Sequence, residues 1–215
     1  MMKKNIGDYN LYVFDLDGTL YDQPRLRMIM AKRLICHYIL HPFSVKDAFI
    51  LQYFRKVKEE WTGSSSEEEI VKKVAEDKNV DIERVRRIVR RWIYDNPLSA
   101  VAATKDTALI EWIASLRKKG KKVVILSDYP TADKLLAMGV ETDGQYSPDD
   151  TRIDELKPSP RGLFVIMEDT GEDPGNILMI GDRMEKDGQC AVAAGTDYLI
   201  LPRKVKNRKI HEIEH

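Results

Sequence analysis

The chain has 215 residues, enough for one full domain and a modest second one. Apolar residues make up 43%, which supports a packed core and argues against global disorder. The 35 basic and 35 acidic residues cancel, so nothing in the balance calls for nucleic acid or an anionic membrane. Two cysteines far apart, Cys36 and Cys190, argue against a disulfide framework or a zinc site. The first residues lack an apolar stretch of secretory length, and no apolar run approaches the ~20 residues that span a bilayer. A soluble cytoplasmic protein, monomer or homodimer, is the expectation.

In chain order, the first predicted element is a strand, Leu11 to Phe14. It runs directly into Asp15-Leu16-Asp17-Gly18-Thr19-Leu20. Residues 21–96 then read as helical. Met28, Ala31 and Ile35 share one segment that ends near His41-Pro42, and Phe43 to Trp61 forms a second. Ser64-Ser65-Ser66 followed by Glu67-Glu68-Glu69 has the capping-box pattern that opens a third. Asp81 to Asp95 is a fourth, with Val85, Ile88, Val89 and Trp92 as its apolar stripe and Asn96-Pro97 as its end. From residue 97 the pattern alternates. A helix over Asp106 to Lys119 precedes a strand over Lys122 to Leu126, and Ala132 to Met138 is a short helix. Helix Arg161 to Thr170, strand Asn176 to Ile180, helix Gly188 to Ala194 and strand Tyr198 to Leu201 follow. The strands are continuous apolar runs, as in buried parallel sheets. The prediction is an α/β, Rossmann-like parallel-sheet core over residues 1–20 and 97–215, with a helical cap of residues 21–96 inserted after the first strand. The polar, acidic stretch Glu141 to Glu155 carries no predicted strand.

Two carboxylates one residue apart at a strand end serve folding poorly. In an extended segment Asp15 and Asp17 project to one side, and like charges that close repel unless a cation or a shared proton sits between them. Gly18 permits a tight turn. Three further stretches fall at or near predicted strand ends: Ser127-Asp128, Lys157-Pro158, and Gly181-Asp182 with Asp187. Together these groups suit phosphoryl transfer. Asp15 could attack phosphorus as a nucleophile. Asp17 could protonate the leaving alcohol and then activate water. Asp15 and Asp182 could share Mg²⁺, which Asp187 would reach through water. Lys157 would place a fixed positive charge on a phosphate oxygen or the nucleophile, and Ser127 would donate a hydrogen bond to phosphoryl oxygens.

In this order and spacing, the four stretches resemble the motifs of the haloacid dehalogenase-like (HAD) hydrolase superfamily. Phe14 to Leu20 matches the first motif, Ser127 the second, Lys157 in Leu-Lys-Pro-Ser-Pro the third, and Ile180-Gly181-Asp182 with Asp187 the fourth. The resemblance covers roughly residues 9–20 and 97–202. It implies a Mg²⁺-dependent enzyme with an aspartyl-phosphate intermediate, most often a phosphatase of a small phosphorylated metabolite. It also implies metal binding by the side chains of Asp15 and Asp182 and the main-chain carbonyl of Asp17. The helical insert resembles the family's type 1 cap, as in phosphoglycolate phosphatase-like members. Haloalkanoate dehalogenases of the family lack the second aspartate of the first motif, so Asp17 argues against dehalogenation. Tyr21-Asp22-Gln23-Pro24 matches no named subgroup. Two other readings stand beside the phosphatase: a phosphosugar mutase of β-phosphoglucomutase type, and a non-catalytic phospho-ligand or protein-binding module.

Each residue also has a plainer reading. Ser127 could begin a helix. Asp187 could sit in a first helical turn, favoured by the dipole. Thr19 could bind substrate or only support the turn. Arg25 or Arg27, close behind the first motif, could meet the distal part of a substrate. The arginines at 84, 86, 87, 90 and 91 read as a solvated helix face, and Tyr38, Tyr53, Phe54 and Trp61 as cap core.

Overall fold

The computed structural model describes residues 4–61 and 66–210. Five strands, β1 (Leu11–Phe14), β2 (Lys122–Leu126), β3 (Gly144–Tyr146), β4 (Ile177–Gly181) and β5 (Asp197–Ile200), form one parallel sheet in the order β3-β2-β1-β4-β5. The α/β class follows the sequence reading, and the last two strands begin and end one residue away from it. The strand β3 is a correction. It lies in the polar stretch after Glu141, where three residues with only Tyr146 buried give no readable apolar run. Its pairing with β2, Val124 opposite Gly144 and Leu126 opposite Tyr146, makes it an edge strand.

Among the described residues, six α-helices run between β1 and β2: α1 (Gln23–Leu40), α2 (Val45–Glu60), α3 (Glu67–Lys78), α4 (Ile82–Val89), α5 (Leu98–Thr104) and α6 (Thr107–Lys118). Asp22 caps α1 by accepting from the Arg25 N–H at 2.9 Å, and Pro24 sits in its first turn. Met28 and Ile35, the apolar residues that marked this helix in the sequence, are each 60% exposed, and Leu26 and Met30 carry its packing instead. Ser66 sits at the N-cap of α3, while Ser64 and Ser65 of the predicted capping box lie outside the described residues. The backbone after α4 widens into π-type turns over Arg90–Asp95 before Pro97. The helix α5 is a second correction, since Pro97 both ends one helical segment and opens the next. Arg84 bonds Asp47 and Arg86 bonds Glu68 and Glu83, so part of the basic cluster ties the cap helices together. Three helices, α7 (Ala132–Met138), α8 (Arg161–Thr170) and α9 (Gln189–Ala194), complete the core. Among the described residues no helix is long and apolar enough to cross a membrane.

Both faces of the sheet are covered. Tyr12, Phe14, Ile125 and Ile180 face a cluster that includes Trp112 of α6. The alternate residues Leu11, Val13, Leu126 and Met179 face α8 and α9. Trp112 meets the edges of Tyr12 and Phe14 at centroid distances of 6.2 and 5.7 Å. The first cluster continues into the cap through Leu20, Leu26, Phe54, Ile70 and Trp92, so the cap's core and this face of the sheet pack as one body. Removing the indole should therefore be felt throughout. Trp112→Ala is expected to lower the unfolding free energy by about 3–5 kcal/mol in urea titration; a loss below about 1 kcal/mol would contradict this packing.

Candidate active site

The register of the two central strands builds the site. Phe14 lies opposite Ile180, and the Asp15 N–H donates to the Ile180 carbonyl at 2.8 Å. Asp15, one residue past Phe14, and Asp182, two residues past Ile180, thus emerge from neighbouring strands at the same carboxyl edge, where open α/β sheets hold ligands. Two glycines permit this approach. Gly18 has φ +100°, and a β-carbon there would lie 2.8 Å from Asp182 Oδ2. A β-carbon on Gly181 would collide with the Asp187 carboxylate.

Asp15, Asp182 and Asp187 are all buried, and one carboxylate oxygen from each lies within 4.8 Å of the others. One ammonium serves them. Lys157 Nζ lies 2.5 Å from Asp15 Oδ1 and 2.7 Å from Asp187 Oδ1. Thr19 Oγ1 donates to the other oxygen of Asp15 at 2.8 Å. Burial and the Asp187 charge push the Asp15 carboxyl well above its ordinary range against the opposing pull of Lys157. Burial alone would lower the Lys157 ammonium, but Asp15 and Asp187 outweigh it and raise it well above its ordinary value. Asp182 is raised by burial and by Asp187.

Asp17 stands apart from this cluster. Lys134 Nζ lies 2.6 Å from its Oδ1, the Tyr21 hydroxyl donates to the same oxygen, and Ser127 Oγ lies 3.4 Å from Oδ2. Burial alone would raise the Asp17 carboxyl, but the Lys134 charge and the hydrogen bonds from Lys134 and Tyr21 hold it below its ordinary value. The repulsion anticipated between Asp15 and Asp17 is thus met by a separate lysine on each. Lys134 and Tyr21 escape sequence reasoning. Lys134 lies on the helix after β2 with no motif around it, and Tyr21 gave only an unmatched residue after Leu20.

A cavity of about 890 Å³ opens over these groups between core and cap, and Asp15, Asp17, Lys157, Asp182 and Asp187 line it. The cap contributes Arg27, Arg55, Lys56 and Glu59. Arg25 and Arg27 are both exposed, but only Arg27, two residues on, lines the cavity. Thr19 is fully buried beneath Asp15. Ser127 accepts from the Tyr129 N–H at 3.1 Å and does not itself line the cavity, whereas its neighbour Asp128, which receives the Lys157 N–H at 2.9 Å, does. Glu59 of α2 pairs with Arg183, and Lys58 lies 3.9 Å over the Tyr129 ring, so two contacts clasp cap to core.

From the far end of the chain comes another support. Arg208 donates to the carbonyls of Thr19 at 2.5 Å and Gly18 at 2.6 Å and pairs with Asp106 at 2.9 Å. Its side chain is 1% exposed. Asp106 in turn caps α6. The charged tail gave no hint of this role in the sequence, because the contact spans 189 residues.

The donor set suits a small divalent cation. Three buried carboxylates face the Lys157 ammonium and, at 4.0 Å from Asp182, the largely exposed Arg203 guanidinium, which leaves negative charge to neutralise. Asp182 Oδ1 is buried with no hydrogen-bond partner among the described residues. Hard oxygen donors with excess negative charge are what Mg²⁺ prefers.

Comparison with known proteins agrees with this geometry. Residues 9–195 match the model of the haloacid dehalogenase-like hydrolase family, and the chain belongs to that family. No curated protein matches the chain. Among solved structures, the YfnB HAD-hydrolase candidate of Bacillus subtilis, determined with magnesium bound, is 16% identical with a TM-score of 0.62, covering 99% of this chain and 100% of its own. A predicted phosphoglycolate phosphatase of Haemophilus somnus is 17% identical with a TM-score of 0.59, covering 98% of this chain and 93% of its own. The defluorinating L-2-haloacid dehalogenase Rha0230 is 14% identical with a TM-score of 0.62, covering 97% and 89%. At these identities the likeness establishes the shared fold.

Because Arg208 and Asp106 are a buried pair, Arg208→Gln is expected to cost about 3 kcal/mol or more of stability and to reduce turnover by loosening the Gly18–Thr19 turn. Urea titration and steady-state rates check this. A variant with unchanged stability would show that the turn holds itself.

Proposed function

We propose that this hydrolase is a Mg²⁺-dependent phosphatase of a small phosphomonoester, working through an aspartyl-phosphate on Asp15. The carrying observation is the division of labour between two aspartates. Asp15 is fixed through both oxygens, by Lys157 and Thr19, beside two further carboxylates. Asp17 faces the same cavity with its own proton-donating partners, Lys134 and Tyr21. Asp15 attacks the phosphorus while Asp17 gives its proton to the departing alcohol. Asp17 then takes a proton from water, which attacks the acyl phosphate and releases inorganic phosphate. Lys157 and Ser127 bear on the phosphoryl oxygens. Asp15, Asp182 and the main-chain carbonyl of Asp17 would hold Mg²⁺, whose contribution when bound is to neutralise the charge of the substrate phosphate. The presence of Asp17, hydrogen-bonded by Lys134 and Tyr21, favours phosphoester hydrolysis over dehalogenation.

A panel of phosphorylated metabolites, assayed for phosphate release with Mg²⁺ and with chelator, is the direct test. Release that depends on the metal and falls by about 10⁴-fold or more in Asp15→Asn is expected. Isomerised product without net phosphate release would make the chain a mutase. No turnover of any compound would leave a binding module.

A second outcome concerns pH. Asp17 must carry a proton to serve the leaving group, so kcat/KM falls as pH rises past its pKa. Lys134 lowers that pKa and draws the fall toward lower pH. In Lys134→Gln the declining limb of the kcat/KM profile is expected to move to higher pH. An unmoved limb would assign it to another group.

A further inference from the structure

The cations around the cavity are mostly committed. Lys134 is held by Asp17, Lys157 by Asp15 and Asp187, and Arg183 by Glu59 and Glu185. Lys186 donates to the Lys157 carbonyl at 2.8 Å, and Arg203 pairs with Glu185 at 2.9 Å. Arg27 of α1 and Arg55 of α2 differ from all of these. Both line the cavity, as does Lys56 beside Arg55, and none of the three has an ion-pair or hydrogen-bond partner for its charged group among the described residues. Burial already lowers the Arg55 guanidinium, and the facing groups are Tyr129 and the like-charged Arg27, with no carboxylate between them. Both side chains are solvent-exposed on the cavity wall, so water satisfies them in the free protein, and an anion entering the cavity finds two uncommitted guanidinium groups to bind.

That anion cannot be the phosphate under attack, whose place is set by Asp15, Lys157 and Ser127 at the strand ends. A volume of about 890 Å³ also exceeds what a bare phosphate fills and leaves room for a second group under the cap. We infer that the substrate carries a second anionic substituent, a carboxylate or a further phosphate, bound by Arg27 and Arg55. The inference rests on the phosphatase reading for the position of the first phosphate. It narrows the substrate class to phosphomonoesters with a distal negative charge and makes the two cap arginines its specificity determinants. Arg27 and Arg55 come from different cap helices, so a bridging anion also holds the cap in one arrangement over the site.

The test compares near-isosteric compounds that differ only in the distal group. Calorimetric binding of 3-phosphoglycerate against glycerol 3-phosphate probes a carboxylate, and of a sugar bisphosphate against its monophosphate a second phosphate. Wild-type protein is expected to prefer one of the anionic members at least about tenfold, the scale of a charge-assisted pair. In Arg55→Gln and in Arg27→Gln that preference ratio is expected to collapse toward one, with Arg55→Lys intermediate. Equal wild-type affinities in both pairs would overturn the inference even if a variant failed to fold. A ratio unchanged by either substitution in folded protein would overturn it as well. Hydrolysis of p-nitrophenyl phosphate, which lacks a distal anion, is measured in parallel. Its absence would count against the phosphatase reading, while the binding ratios would still decide the second site.

Discussion

Three buried carboxylates and one lysine are forced together at the ends of β1 and β4, and much of the local structure answers that crowding. The parallel pairing of Phe14 with Ile180 leaves the next residues no choice but to emerge together. Like charges in a medium of low dielectric repel strongly. Lys157 offsets part of this by bridging Asp15 and Asp187, and the backbone makes room through Gly18 and Gly181. The turn that carries Gly18 is then tied from behind by Arg208, whose own charge is balanced by Asp106. The residual negative charge and the Asp182 oxygen without a hydrogen-bond partner among the described residues suit the site to receive a cation.

The helical insert is inseparable from this chemistry. Its apolar core runs continuously into one face of the sheet, and Leu20 and Tyr21 carry that continuity directly out of the turn that presents Asp17. The clasps Glu59–Arg183 and Lys58–Tyr129 lie on the rim of the cavity. A cap seated this way shields the carboxylates from bulk water and strengthens each charge interaction beneath it. It also explains why one cap helix, α2, supplies a clasp at Glu59 and an uncommitted cation at Arg55 within the same turn.

The legible part of this protein was the part encoded locally. Apolar runs mark four of the five strands, three of them ending next to Asp, Ser or Gly, and Asp15, Asp17, Ser127, Lys157, Asp182 and Asp187 stand where those runs end or close by. Parallel pairing then needs no further information to gather them. What remained hidden arrives through tertiary contact. Lys134 reaches Asp17 across 117 residues and Arg208 reaches Thr19 across 189, and neither carries a local signature. The strand β3 was too short to show a period, and α5 was masked by a proline read only as a stop. On α1 the apolar residues Met28 and Ile35 lie outward, because the helix turns Leu26 and Met30 toward the core instead. Periodicity shows that a helix exists more reliably than it shows which stripe is buried.

The opposite shifts of the two aspartates bear on how one site runs both halves of a hydrolysis. Asp15 is raised by burial and by Asp187, and Asp17 is lowered by Lys134 and Tyr21. Environments that push two neighbouring carboxyls apart assign them different work. In the phosphatase reading, a divalent cation beside Asp15 favours its ionised, nucleophilic form by simple charge. The substrate acts on Asp17 in the reverse sense. A phosphate dianion entering near Lys134 competes for that ammonium and adds negative charge close to Asp17, and both effects raise its proton affinity. In the phosphatase reading, Asp17 rests ionised beside Lys134 and takes up a proton as the substrate docks. In the same reading, giving its proton to the departing alcohol leaves Asp17 ionised, and Lys134 stabilises that basic form, which is the form that activates water.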